Sequence, residues 1–572
     1  MKKTLQRCEG VITIFVSIML LGVLSLGTMV IELGRLAAAK TQLSDASLSA
    51  ATSMIAGYNI DLYDSFGILA MDTDKATPAR CRDYMEFNSD LSPSYRGSHV
   101  TRLYSLESVE FSGIYNLTNP ALLQRQILTQ AKYNIVPEDF SLNLYNVDWL
   151  LGDVKEICTS VQEGADEIAS AGRSGDEADL DDDAKEILSS LRSTFAGQDR
   201  FDASCNSSVE KGMLPSVTGA VADAQTADDS AVIGGLLGDA YAALGGTASA
   251  LNRTSSTPKT LADASADVGI VDTLDRLNTL DWGSASAVHE LAGQIAEETA
   301  DLAQQVKAAL EVASAEQNDN LLLNAYAVRC FSNRNDTLVT HSGPARNSGF
   351  SGGDSNFVSA CAEYLFAADA SETNAQESAW EYLFALRYLD NLGVILQQDT
   401  MDKAKDYSVL QHFAWAYYES CLDMKVLADG NGTLPFHKDS LTIPYLSADE
   451  MRAAFGSGSV ENALSALGVY NGSEFAIGGD DPMTYRDSLM LALYLVPDSK
   501  KLARMADLMQ LEIRYKQRYV TGHPVDFLMQ NENTYCRVRA QARLNSVLPV
   551  IAQGSNGNMG SLRFSSIQYT GY

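Results

Sequence analysis

The sequence lacks the short motifs by which many enzymes and metalloproteins are recognised. None of its eight cysteines forms a C-x-x-C pair, which argues against zinc ribbons and thioredoxin-like redox sites. No phosphate-binding G-x-x-x-x-G-K-[ST] string occurs, and the six histidines are scattered. The 73 acidic residues give too many chance pairs for a catalytic pair of carboxylates to be recognised. We therefore predict a non-enzymatic protein without a cofactor or a bound metal.

Three strings come close to a motif and fall short. His289-Glu290 begins like a zinc-protease helix, but Gly293 stands where the second histidine ligand is needed. Residues 349–353 match G-x-S-x-G, but a polar loop precedes them instead of a buried strand. Residues 179–183 are acidic but lack the glycine and closing glutamate of a calcium loop. They suit a helix N-terminus, where the helix dipole favours anions.

The sequence also has few basic residues, 42 compared with 73 acidic residues, so the net charge is −31. Residues 1–31 contribute +2 (Lys2, Lys3 and Arg7 against Glu9), which leaves −33 for the rest of the chain. An acidic domain of this size repels nucleic acid and anionic lipid, so neither is predicted as a partner of the domain. The same charge keeps a surface protein soluble.

Val11 to Ile31 are 21 consecutive residues without a charge. About 20 apolar residues in a helix cross a bilayer core of ~30 Å, so we predict a transmembrane span with these ends. Basic residues before the run place the N-terminus in the cytoplasm and the rest of the chain outside, although Arg35 and Lys40 oppose this bias. The alternative is a signal peptide cut near Ala37–Ala39, but its apolar region would run only ~7–15 residues.

The predicted fold is α+β and mostly α-helical, with the N-terminal transmembrane helix extending into an extracytoplasmic domain that contains a small antiparallel sheet. The helix continues because residues 32–57 contain no proline and end at Gly57. The predicted segments are a tail (1–10), the span (11–31), its continuation (32–57), a first domain part (58–148), an aromatic-poor helical insertion rich in Ala, Ser and Asp (149–282), and a main helical domain with C-terminal strands (283–572).

Hydrophobic periodicity places the individual elements. Strands are predicted at 98–115, 357–367, 537–544 and 562–569, where they can form one antiparallel sheet. The strand at 98–115 alternates imperfectly, because Glu107 falls on the same face as Leu103, Val109 and Phe111. Helices are predicted at 120–132, 286–317, 373–398, 407–428 and 482–516, the last broken at Pro497. The helix at 286–317 has an apolar stripe and is predicted to pack within the chain, with a free stalk as the alternative.

Seven cysteines follow the predicted span, and an oxidising exterior permits disulfides among them. Cys158 with Cys205, or Cys330 with Cys361, could pair. Seven is an odd number, so at least one thiol stays free or pairs between molecules.

The first 57 residues resemble the N-terminal segment of TadE/TadG-type proteins of Flp (Tad) pilus loci. The resemblance is carried by Gly10, the apolar run, Ile31–Arg35 and Leu43–Ala46. It implies prepilin-like processing between Gly10 and Val11, but the glutamate usual at the fifth mature position is replaced by Phe15. TadG-like members can carry a metal-binding Asp-x-Ser-x-Ser string. Residues 45–49 fit it but lie inside the predicted helix, which favours a structural role.

Later segments resemble an uncharacterised family of Gram-positive surface proteins with the same anchor. The matching segments are 58–72, 119–132, 363–367, 414–420 and 485–508. The two resemblances imply a membrane-anchored accessory or minor pilin-like component of Tad/Flp-type pilus assembly, with the membrane and other pilus or cell-surface proteins as partners. The alternatives are a membrane-tethered adhesin or sensor unrelated to pili and, third, a secreted hydrolase. A hydrolase would gather His, Asp or Glu from distant segments into a cleft.

Overall fold

The computed structural model describes residues 2–72, 75–89, 103–134, 147–172, 182–195, 268–314, 317–331, 333, 362–366, 375–396, 409–428, 432–438, 441, 462, 465–466, 477, 482–515, 517, 527–545 and 562–572. These residues form a mostly helical α+β protein with a small three-stranded antiparallel sheet, a separate pair of two-residue antiparallel strands and one long apolar N-terminal helix, which confirms the predicted fold class.

The helices are α1 (Lys2–Ile55), α2 (Ile60–Phe66), α3 (Pro78–Asn88), α4 (Pro120–Asn134), α5 (Val147–Gly172), α6 (Asp182–Phe195), α7 (Ile270–Asp275), α8 (Ala285–Ser314), α9 (Gln317–Cys330), α10 (Ala375–Leu396), α11 (Val409–Ala428), α12 (Tyr485–Ala492) and α13 (Asp498–Tyr515). The strands are β1 (Tyr104–Asn116), β2 (Leu434–Pro435), β3 (Pro482–Met483), β4 (Asn533–Leu544) and β5 (Arg563–Gly571). Short 3-10 helices cover Arg276–Asn278, Glu363–Phe366, Leu493–Leu495 and Met529–Asn531.

The chain folds as two compact units. Unit 1 contains the described residues of 1–122 and 528–572, and unit 2 contains those of 123–220 and 245–527. The C-terminal strands β4 and β5 therefore group with the N-terminal part of the chain and not with the helices that directly precede them.

Unit 1 is built from α1, α2, α3 and a three-stranded antiparallel sheet in the order β1-β4-β5. The faultless alternation predicted at 537–544 is confirmed, because Val538, Ala540, Ala542 and Leu544 are buried while the residues between them face outward. The small residues of α1 beyond Ala39 pack on this buried face. Since small side chains let a helix lie close to a sheet, the alanine-rich continuation of α1 fits its place in the core.

The imperfect alternation at 98–115 has a structural cause. The pairing of β1 with β4 shifts between Leu106 and Ser108, so Glu107 sits in a β-bulge. The extra residue lets Leu106 and Val109 both pack against the core while Glu107 reaches Arg563 at 3.0 Å. Residues 98–102 of that prediction lie outside the described residues.

The predicted strand at 357–367 is wrong where the structure describes it. Residues Glu363–Phe366 form a 3-10 helix, and all four side chains are buried. A half-buried strand would bury only every second side chain. Here Glu363 Oε1 instead accepts a hydrogen bond of 2.9 Å from the Tyr485 hydroxyl, so this segment belongs to unit 2 and contributes no strand to the sheet.

Unit 2 is a helical assembly in which α8 packs along α5, and α10 packs against both α5 and α11. The predicted apolar stripe of α8 is buried at Val288, Leu291, Ile295, Leu302 and Val306, so this helix packs within the chain as predicted. The helix pair predicted at 482–516 is also confirmed, with the break between α12 and α13 at Pro497.

Candidate functional site

The first candidate site is the apolar N-terminal half of α1. Its large apolar side chains from Ile12 to Leu33 are all more than half exposed. The most apolar 18-residue window has a mean hydropathy of 2.5, and none of it is buried. By length and composition this part of the helix can cross a bilayer, and a signal sequence would share these properties. Gly10, Val11 and Ile31 all lie within α1, and one continuous helix contains both the predicted span and its continuation.

A buried ion pair marks where α1 enters unit 1. Glu32 is only 3% exposed, and its carboxylate lies 3.9 Å from the Arg35 guanidinium. Arg35 Nη2 donates a hydrogen bond of 2.9 Å to the carbonyl of Asn545, just beyond β4. Arg35 is one of the two basic residues that oppose the predicted membrane orientation, and its guanidinium is directed into unit 1.

Beyond this point α1 is fixed to β4 and β5 along its length. Gln568 Nε2 donates to Ser44 Oγ over 2.9 Å, the Cys536 thiol contacts the carbonyl of Ala51, and the Tyr572 hydroxyl donates to the carbonyl of Ile55. Ser47, in the Asp-x-Ser-x-Ser string, is fully buried and its hydroxyl donates 2.6 Å to the Leu43 carbonyl of the preceding turn. This string is therefore part of the helix packing, as predicted.

The second candidate site is a cluster of ionised side chains inside unit 2. Lys438 Nζ lies 2.7 Å from Glu419 Oε1 and 2.6 Å from Asp423 Oδ1, and all three side chains are at most 1% exposed. Arg387 Nε donates to Asp423 Oδ2 over 2.9 Å, and Asn391 Nδ2 donates to the same oxygen over 3.0 Å. Burial alone would raise the pKa of Asp423, but the neighbouring Lys438 and Arg387 hold that pKa below its ordinary value.

The cluster reaches solvent at one end. Arg387 Nη2 lies 3.3 Å from Asp390 Oδ2, and Asp390 Oδ1 lies 2.6 Å from His437 Nδ1. The His437 side chain is 30% exposed. Two cations and three carboxylates are thus joined, and protonation of His437 would balance their charge. Asp390 and His437 come from distant segments, the kind of pairing that the hydrolase alternative requires.

Arg387 and Asp390 also line an apolar pocket with a cavity volume of about 50 Å³. Most of its other walls are aliphatic, including Leu151, Ile157, Leu310, Leu383, Leu491 and Leu495. Ser488 lines it too, but its hydroxyl donates 3.0 Å to the Thr484 carbonyl in its own helix. The pocket is suited to a small aliphatic group, with one charged edge to orient it.

The remaining predicted sites are placed as follows. His289 and Glu290 are exposed on α8, and no group of three or more His, Cys, Asp or Glu side chains in the described part of the chain could hold a metal. Residues 349–353 lie outside the described residues, and α6 begins at Asp182, within the acidic string.

The predicted disulfides stay predictions. Cys158 and Cys330 are both buried, and their predicted partners Cys205 and Cys361 lie outside the described residues. Burial raises the pKa of Cys158 to about 12, so the thiol is in its unreactive form at neutral pH.

The sequence predictions did not include the ionised cluster. The spacing of two acidic residues could have indicated it. Glu419 and Asp423 are four residues apart in a mostly apolar helix, so they share one face of that helix. Arg387 and Asp390 repeat this pattern at a spacing of three in α10.

Comparison with known proteins gives one partial match. A model of a family of unknown function (DUF5702) matches residues 403–544, a segment that begins six residues before α11 and ends with β4. This segment contains Glu419, Asp423 and Lys438 of the ionised cluster but not Arg387. No curated protein and no solved structure matches the chain.

Proposed function

We propose that the chain is a non-enzymatic, membrane-anchored surface protein associated with Tad/Flp-type pilus assembly, as an accessory or minor pilin-like component. The observation that carries the proposal is the division of α1 at Glu32–Leu36. From Ile12 to Ile31 its large apolar side chains are exposed, and from Ala39 to Ile55 it is the central packing element of unit 1. A helix of this kind can leave the bilayer and enter a folded domain without a linker, and it can also pack beside the helices of other anchored subunits.

The resemblance to TadE/TadG-type proteins supplies the link to pili, and gives two modes of action. In one, the span from Val11 to Ile31 stays in the membrane and unit 1 and unit 2 bind other surface proteins. In the other, cleavage between Gly10 and Val11 releases the helix into a filament.

An immunoblot of sheared surface filaments and of washed membranes from the native cell tests the proposal. Signal in the filament fraction would support a minor structural subunit. Signal only in membranes, together with reduced piliation on deletion of the gene, would support an anchored assembly factor. Unchanged piliation after deletion would count against any role in pilus assembly.

The pocket of unit 2 favours one alternative, a membrane-tethered adhesin or sensor. Its aliphatic walls and charged edge are typical of sites that recognise a small ligand or a single protruding side chain. Pilus genes beside this gene would favour the first function. A Leu383→Trp variant that fills the pocket and abolishes surface attachment without changing piliation would favour the second.

A further inference from the structure

The C-terminal end of the chain has a charge opposite to that of the whole. Residues 533–572 contain four arginines and no acidic residue, in a chain with 73 acidic residues. All four lie on β4 and β5, at Arg537, Arg539, Arg543 and Arg563. In β4 the three arginines occupy the face opposite to the buried alternation. Glu110 lies 3.6 Å from Arg539 and Glu107 lies 3.0 Å from Arg563, so arginines outnumber these carboxylates four to two on the outer face.

The contacts between α1 and the sheet show which end of the sheet lies nearest to the apolar half of α1. Moving away from the predicted span, Arg35 contacts Asn545, Ser44 contacts Gln568, and Ile55 contacts Tyr572. The end of β4 and the start of β5 therefore lie level with Arg35. This residue follows Ile31 by four positions, or about 6 Å of helix.

Two arginines stand at this end. Arg543 and Arg563 are direct partners in the β4–β5 register, and both are exposed, Arg563 to 73% of its side chain. One carboxylate is close, since Glu107 lies 3.0 Å from Arg563 Nε. On α1 itself, Lys40 is also exposed nearby along the helix. We call Arg543 and Arg563 the proximal arginine pair.

We propose that the proximal arginine pair binds the anionic headgroups of the lipid leaflet from which α1 emerges. The proposal rests on α1 spanning the membrane, as in the proposed function. Guanidinium groups bind phosphate oxygens through two parallel hydrogen bonds, so a phosphodiester headgroup is a fitting ligand. With α1 in the bilayer and the proximal arginine pair on the headgroups, unit 1 would be held at a fixed tilt to the membrane. With α1 alone, its tilt would vary.

The net charge of −31 predicts repulsion of the domain as a whole by anionic lipid, but it opposes a local contact at this end of the sheet only weakly. Charges more than a Debye length from the surface, ~8–10 Å at physiological salt, are largely screened. Each arginine near an anionic surface shifts the binding equilibrium about fivefold, so a pair partly offset by Glu107 should give a shift on the order of tenfold.

The test uses the full chain in vesicles of phosphatidylcholine alone or with about a third phosphatidylglycerol, a surface charge sufficient for this effect. A fluorescent amino acid replaces Ser565, which is exposed two residues from Arg563 on the same strand face. Lipids with a nitroxide on the headgroup quench it when the sheet end touches the membrane. The variant Arg543→Gln/Arg563→Gln is compared with Arg537→Gln/Arg539→Gln, which removes equal charge from the far part of the same face.

We expect several-fold stronger quenching with phosphatidylglycerol, a loss of the difference at high salt, and a loss of it in the proximal variant but not in the control variant. Equal quenching in both lipids, or equal loss in both variants, would overturn the proposal. Resistance of each sample to alkaline carbonate extraction is measured in parallel. Extraction of the unaltered chain from both vesicle types would disprove the membrane anchor itself, whereas retention without charge dependence would disprove only the lipid contact.

Discussion

Lys438 and Asp423 form an ion pair that is closed to solvent, with Nζ 2.6 Å from Oδ1 and both side chains at most 1% exposed. Removing one partner of a buried ion pair is destabilising, because the protein interior cannot solvate the charge that remains. Lys438→Met would leave Glu419 and Asp423 with Arg387 as their remaining buried cation. We expect the free energy of unfolding of unit 2 to fall by about 3–5 kcal/mol.

Urea unfolding followed by tryptophan fluorescence measures this change, since all four tryptophans lie in unit 2, at Trp149, Trp282, Trp380 and Trp415. The control is Lys425→Met, which makes the same change at a half-buried lysine of α11 and should cost less than about 1 kcal/mol. Equal costs for the two variants would show that the ion pair does not stabilise unit 2.

The same pair should make the stability of unit 2 depend on acidic pH. The pKa of Asp423 is lowered in the native state, whereas the unfolded value is about 3.9. The ionised carboxylate therefore contributes its full stabilisation above about pH 4, and this contribution is lost as the pH falls through the native pKa. The stability difference between the unaltered chain and Asp423→Asn should stay constant from neutral pH to about pH 5 and shrink below about pH 4. A difference that grows on acidification would contradict this assignment.

Two glycines allow α5 and α10 to cross closely. A Cβ at Gly393 would lie 2.8 Å from Ile157 Cγ2, and a Cβ at Gly164 would lie 2.7 Å from Leu396 Cδ1. Ile157 is branched at Cβ and adapts poorly, so Gly393→Ala should destabilise unit 2 by about 1–3 kcal/mol. Gly152→Ala is the matched control on α5, where nothing lies within 4 Å of the added carbon. It should stabilise the helix by up to about 1 kcal/mol. Urea midpoints that rank the two variants in the opposite order would rule out the close crossing.

The buried thiols should resist alkylation in the native protein. Burial raises the pKa of Cys81 to about 11 and of Cys536 to about 12, against about 8.5 in an unfolded chain. Their neutral form thus stabilises the fold fully below about pH 8.5, and less as the pH rises beyond it. Iodoacetamide labelling at about pH 8 with peptide mass spectrometry should modify these cysteines only in urea. If Cys158 stays unlabelled in urea until reductant is added, the predicted disulfide with Cys205 is present.

A charge in the apolar half of α1 should remove the protein from membranes. Leu21 is 67% exposed in the predicted span, and an arginine at the centre of a membrane helix costs roughly 2.5–3.5 kcal/mol. Leu21→Arg should lower the carbonate-resistant fraction, while Leu48→Arg, at a residue 46% exposed farther along the same helix, should not. Equal retention of both variants would mean that Val11–Ile31 does not span.

Features encoded in local periodicity were predictable. The helix through the uncharged run of α1 and the alternation of β4 depend only on neighbouring residues, and both are confirmed. The segment at 363–366 was not predictable, because its burial on all sides is imposed by distant residues such as Tyr485. The bulge at Glu107 was partly predictable. The sequence showed that Glu107 interrupts the alternation of β1, but it did not show that a β-bulge is the cause.

The ionised cluster was hidden for a different reason. Arg387, Asp423 and Lys438 come from three separate segments, and each is an ordinary charged residue when read alone. Only their common burial distinguishes them from the other charged residues of an acidic chain. The lining of the pocket likewise depends on how four or more segments meet, which no single stretch of sequence records.

The order of strands in unit 1 has a consequence for biosynthesis. The middle strand, β4, pairs with β1 although more than 400 residues separate them in the chain, and Arg35 reaches Asn545 across 510 residues. At roughly 5–20 residues per second, a ribosome needs about 25–100 s to supply β4 after α1 has been made. For that time the alanine face of α1 and the edge of β1 lack their partners, which invites incorrect pairing. Unit 1 can therefore close only after unit 2 has been synthesised, and a chain truncated before Asn533 would present α1 without the strands β4 and β5 that cover it.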